Sequence, residues 1–144
     1  MAETWDEQEL IRAGFERVFA ELDRFDTPVF GLAEVDGDAH YFRLVDEDFY
    51  AVWPVGDAQL ALERERWAVF AAWHARYEAG TAEPDTHPGA GGVDARYDEL
   101  TALLLPRRTT PPEPRVLRAE WRGMDGPRYR PDGVDFRVKW HPAD

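Results

Sequence analysis

From Val134 to Trp140 the chain alternates without a break. Val134, Phe136, Val138 and Trp140 are apolar, while Asp135, Arg137 and Lys139 are charged. A period of two describes a strand that buries one face and wets the other. Such a strand needs paired neighbours and a second layer over its apolar face. Residues 115–123 repeat the pattern with Leu117, Ala119 and Trp121 on one side, and Met124-Asp125-Gly126 and Asp132-Gly133 supply turns.

A second strand-forming stretch covers residues 29–55. Val29 to Val35 forms one strand, Asp36-Gly37 a tight hairpin turn, residues 39–45 a second strand, and Asp46-Glu47-Asp48 the turn into Phe49 to Trp53. Pro54 lacks a donor and ends that strand. Phe30, Leu32, Phe42 and Leu44 fall on alternating positions and are expected to face helices.

The helical segments have a different period. Ile11, Phe15, Val18, Leu22 and Phe25 recur at spacings of four and three, which predicts a first helix from Thr4, with Thr4 and Glu7 as a capping box, to the Thr27-Pro28 stop. A longer helix is expected from Asp57, its N-cap, to Gly80, with Trp67, Phe70, Trp73 and Tyr77 on one arc. Residues 81–93 read as a loop, and a third helix starts at Asp94 with Tyr97, Leu100, Leu103 and Leu104 inward. Residues 106–114, rich in proline, form an extended connector. The expected fold is α+β: a mainly antiparallel sheet of five to six strands packed on two or three amphipathic helices, in the order α-βββ-αα-ββ(β).

A length of 144 residues points to one domain spanning 1–144. The charge is unevenly spread. Residues 1–105 carry 8 basic and 23 acidic side chains, a net −15, whereas residues 106–144 carry 9 and 6, a net +3. Pairing between the acidic part and the basic hairpin region 115–140, within one chain or between two copies, is the simplest reason for this split. The net charge of −12 disfavours nucleic acid and anionic membranes and favours basic proteins. The chain has no cysteine, which excludes disulfides and thiolate chemistry. No apolar span or signal segment is evident, so a cytoplasmic location and no membrane are expected.

Chemistry-bearing residues are sparse. His87 could act as a general base oriented by Asp85 or Asp94 in a glycine-rich loop, although Asp94 also suits a helix N-cap. Glu63 and His74 project into the aromatic arc of the long helix but lie about 16 Å apart along its axis. Glu78 stands four residues from His74, yet no metal-binding motif or calcium-loop spacing completes a site, and no cofactor motif is present. Trp5, Tyr41 and Tyr50 fall off the expected core stripes and could anchor a partner, together with Arg118 and Arg122 of the basic stripe. The leading expectation is a non-catalytic protein-binding module for a basic partner or for self-association. The alternative is a small cofactor-independent enzyme or ligand-binding protein using residues 85–94 with His74.

Overall fold

The computed structural model describes residues 3–144. The chain runs β1 (Thr4–Trp5), α1 (Glu7–Arg12), β2 (Glu16–Phe25), β3 (Thr27–Val35), β4 (Asp38–Asp46), β5 (Phe49–Pro54), α2 (Asp57–Glu78), α3 (Ala95–Leu104), β6 (Arg115–Met124), β7 (Tyr129–Arg130), β8 (Gly133–Val134) and β9 (Phe136–Pro142). It is an α+β protein with a mostly antiparallel sheet, but that sheet is not open. The strands β2-β3-β4-β5-β6-β9 are each paired with the next, and β9 returns to β2 through Glu16↔Val138 and Arg17↔Arg137. This closes a six-stranded barrel, with the β2–β9 seam made at the start of β2. Register shifts in β2, between Val18 and Ala20 and around Asp23, bend the strand toward closure.

The barrel interior is aromatic. Phe42 meets Tyr50, Trp121 and Trp140 at ring-centroid distances of 5.6, 5.5 and 6.1 Å, and Trp121 meets Phe136 edge-on at 5.5 Å. Gly31 stands opposite Phe42 on β3. A Cβ there would lie 2.6 Å from the Phe42 ring and 2.3 Å from the Ala20 carbonyl, so only glycine leaves room for this filling. The expectation that Phe42 and Leu44 face helices is therefore corrected: Phe42 fills the barrel, and Leu44 shares its parity. Phe30 and Leu32 do share the outer face with Tyr41, which reaches α2. The reading of Tyr41 and Tyr50 as residues off the core that could anchor a partner is corrected too, since both are fully buried. The reason is the same for all: a barrel wall under a helix layer is buried on both faces, so neither parity is reserved for solvent.

The first helix is six residues long, not a segment reaching Thr27. Asp6 caps it by accepting from the Glu9 N–H at 3.2 Å, and Thr4 lies in β1. Gly14, at φ 90°, ends it: its N–H donates to the Ile11 carbonyl and the Phe15 N–H to the Leu10 carbonyl. This is the paired-bond stop that glycine permits, sealed by the contact of Leu10 with Phe15. The apolar stripe that suggests a continuing helix belongs to β2, where Val18, Phe19 and Ala20 are all buried. Consecutive apolar residues hide the strand period.

The long helix matches its expected span, with Gly56 rather than Asp57 as N-cap and Gly80 at φ 76° just past its end. It lies on the outside of the barrel. The Trp67 indole N–H donates to the Arg130 carbonyl at 2.7 Å, and the ring packs edge-on to Tyr129. Helix α3 begins at Asp94, whose carboxylate accepts from the Tyr97 N–H at 2.8 Å. It buries Tyr97, Leu100 and Leu104, while Leu103 is exposed. Ion pairs Arg115–Asp36, Arg128–Glu21 and Arg137–Glu7 join the basic end to the acidic part. No described helix is long and apolar enough to cross a membrane.

Candidate functional site

Glu63 is buried in α2 but is not alone. Its carboxylate accepts the Tyr41 hydroxyl at 2.6 Å and a two-pronged approach from Arg108, Nε at 2.8 Å and Nη2 at 2.6 Å. Gln59 donates to the Tyr41 oxygen at 2.7 Å. Burial, then the bond to Glu63, pushes the Tyr41 phenol far above its ordinary range. Burial pulls the Arg108 guanidinium down, but the Glu63 bonds and charge outweigh it and leave it raised. Arg43 adds bonds to the Thr110 hydroxyl at 2.7 Å and the Arg108 carbonyl at 3.2 Å. The group ties the segment around residues 108–110 to the helix and the barrel wall. Tyr41, Glu63 and Arg108 are buried, and Gln59, Arg43 and Thr110 are half-buried around them.

The loop before α3 is packed onto α2 by its own side chains. The Trp73 indole N–H donates to the Thr86 hydroxyl at 2.9 Å, and the His87 ring lies 4.5 Å from Trp73 and 5.5 Å from Phe70. His87 Nδ1 accepts the Gly89 N–H at 2.8 Å. His74 approaches the same Phe70 ring at 5.9 Å, but its Nε2 faces Glu78 at 3.4 Å. The two imidazoles thus share a neighbour and no hydrogen bond. Asp94 caps α3, and Asp85 sits exposed in the turn before His87. Among the described residues, no three histidine or acidic side chains converge to hold a metal ion.

The partner candidates are scattered. Trp5 is 39% exposed on β1, which runs parallel to β6 beside Met124, and the Arg122 guanidinium lies 5.7 Å from its ring. Arg122 donates to Glu120 at 2.5 Å, and Arg118 stands half-buried between Phe49 and His141. Tyr41 and Tyr50 lie inside the molecule.

Register assembles a different surface. The β2–β3 turn pivots on Asp26 at φ 63°, and the β4–β5 turn on Glu47 at φ 52°. The pairings Phe25↔Thr27, Phe30↔Arg43 and Asp46↔Phe49 bring both tips to one end of the barrel. There Phe25 is 80% exposed and Val45 60%. Asp23, Asp26, Asp46 and Glu47 stand exposed around them. Beside the tips is a cup of about 500 Å³ floored by Trp121, Phe136, Met124 and Pro28, with Arg24, Arg128, Asp26 and Asp135 among its polar walls. Burial raises the Asp135 carboxyl above its ordinary value despite nearby arginines. Behind the wall Glu21 accepts from Arg24 at 2.8 Å and from the Tyr129 hydroxyl at 3.0 Å, which holds Arg24 in place. This surface is hidden in the sequence because Phe25 continues the helical spacing of Ile11, Phe15, Val18 and Leu22. The turn signal Asp26-Thr27-Pro28 was available beside it. Comparison with protein-family models, curated proteins and solved structures returns no match.

Proposed function

We propose that this protein is a non-catalytic binding module that receives a basic protein on the hairpin-tip end of its barrel. The observation that carries this reading is the exposure of Phe25 and Val45 within a ring of carboxylates. Isolated exposed apolar side chains are ordinary. Two on hairpin tips at one end of the barrel, each held by paired strands, are apolar contacts whose ordering on binding costs little entropy. The surrounding carboxylates would steer a lysine- and arginine-rich surface toward this end, and the two apolar side chains would slow its release. In the 85–94 loop His87 packs on Trp73 and Asp94 caps α3, while Asp85 stands apart and exposed, which favours binding over acid–base chemistry there.

The test is affinity capture from a lysate of the source cells with the wild-type chain and a Phe25→Ser/Val45→Ser variant side by side. Wild type should retain one stoichiometric basic polypeptide at physiological ionic strength. It should lose it at roughly 0.5 M salt, where the screening length is about 4 Å. The variant, with an unchanged circular-dichroism spectrum, should bind more than about tenfold more weakly. Equal recovery by both proteins, or no such polypeptide at any salt, overturns the proposal.

A further inference from the structure

The seam that closes the barrel aligns like charges. Arg17 on β2 stands directly opposite Arg137 on β9, and Arg137 directly opposite Arg122 on β6. Like charges facing each other across strands destabilise a sheet unless something offsets them. Arg64 of α2 adds to the crowding: its guanidinium lies 5.6 Å from the Phe19 ring, whose centroid the Arg17 guanidinium approaches at 4.6 Å. Burial, followed by the charge of Arg64, pulls Arg17 below its ordinary value. A chain with a net charge of −12 has carboxylates in excess to place here. Instead two of the guanidiniums are held mainly by backbone. Arg17 donates Nε and Nη2 to the Asp132 carbonyl at 3.2 and 2.6 Å. Arg130 donates Nη2 to the Asp125 carbonyl at 2.7 Å and Nε to that of Pro127 at 3.3 Å. Arg122, at the far side of the row, pairs with Glu120; of Arg17, Arg130 and Arg137, only Arg137 meets a carboxylate among the described residues, Glu7 at 3.3 Å.

These three arginines line one cleft of about 220 Å³ between α1, the seam and the 130–134 turn, with Glu7 and Asp132 as the acidic members of the lining. Three positive against two negative side chains leave the lining positive within an acidic protein. Carbonyl bonds fix the planes of Arg17 and Arg130 without neutralising them, and Nη1 of each has no hydrogen-bond acceptor among the described residues. Fixed guanidinium forks suit the oxygens of a tetrahedral anion.

We propose that this cleft binds a compact phosphate-type oxyanion, either inorganic phosphate or the terminal phosphate of a small ester. The cleft shares Met124 and Phe136 with the cup beside the hairpin tips, but its three arginines belong to neither the tips nor that cup, so variants at Arg17 or Arg130 test it separately from the protein-binding reading. The test is calorimetric titration of the full chain with sodium phosphate and, separately, with glycerol phosphate, against sodium chloride at matched ionic strength. Saturable heat with phosphate and none with chloride is expected. Tighter binding of glycerol phosphate would assign the ester as ligand, and tighter binding of phosphate the free ion. Arg130→Ala should weaken binding about tenfold, the scale of one charge-assisted bond. Arg17→Lys keeps the charge, loses the fork and should also weaken it; this variant decides the matter if Arg130→Ala does not fold. Equal response to phosphate and chloride, or affinity unchanged in the folded variants, overturns the proposal.

Discussion

Two glutamates two residues apart on α2 hold arginines with the same geometry and opposite surroundings. Glu63 takes Nε and Nη2 of Arg108 at 2.8 and 2.6 Å, and Glu65 takes Nε and Nη2 of Arg96 at 2.6 and 2.8 Å. The Glu63 side chain is 1% exposed and the Glu65 side chain 43%. The contact is the same two-pronged fork, so the difference in energy between the pairs comes from water. The outer pair replaces hydration it can regain at once, and salt screens it. The inner pair is bound by the cost of leaving either charge unpartnered in the interior. Its value lies in where it holds the chain: it fastens the proline-rich connector, expected from composition to be extended, to α2 and the barrel wall.

Breaking the inner pair from one side should have the largest effect. Glu63→Ala strands Arg108 and the Tyr41 hydroxyl, and we expect a loss of about 3–5 kcal/mol in chemical denaturation. Replacing both partners by methionine should recover most of that loss, because no unpaired charge remains. Recovery of none would show that the pair stabilises by more than mutual compensation. Tyr41→Phe is the next step down. It removes one donor to a buried carboxylate and should cost about 1.5–3 kcal/mol. Glu65→Ala should do least. The Arg96 hydrogen bonds hold the Glu65 carboxyl below its ordinary 4.5. A carboxyl lowered by folding stabilises above the unfolded value and loses that contribution as pH falls through the folded one. The small difference in melting temperature between wild type and Glu65→Ala should therefore be present near neutral pH. It should vanish in strong acid and at roughly 1 M salt, where the screening length is about 3 Å.

The Glu63–Arg108 partnership also shows how much of the candidate chemistry could be read in advance. The position of Glu63 in the aromatic arc of a helix is visible from spacing, and so is its need for a partner. Arg108, forty-five residues away in a proline-rich segment, carries no local sign of being that partner. His87, His74, Asp85 and Asp94 were legible as a set of reactive types. Their actual uses depend on how the loop folds onto Phe70 and Trp73. Phe25 and Val45 come to one end of the barrel through the β2–β3 and β3–β4 pairings, and the arginine row exists only because β9 pairs with both β2 and β6.

Local chemistry determined the turn at Asp36-Gly37, where φ values of 54° and 85° suit a tight hairpin. It also determined the strand end at Pro54, the span of α2 with Gly80 beyond it, the Asp94 cap and the alternation of β9. Each rests on residues within a few positions of one another, and dihedral preference and period act over that range. The tertiary structure alone decided that residues 16–25 form a strand, that the sheet closes, and that Tyr41 and Tyr50 lie inside. A strand covered on both faces loses its alternation, and the pairing of Glu16 with Val138 spans nearly the whole chain. Closure brings its reward only when both ends have met, so no short stretch of sequence records it.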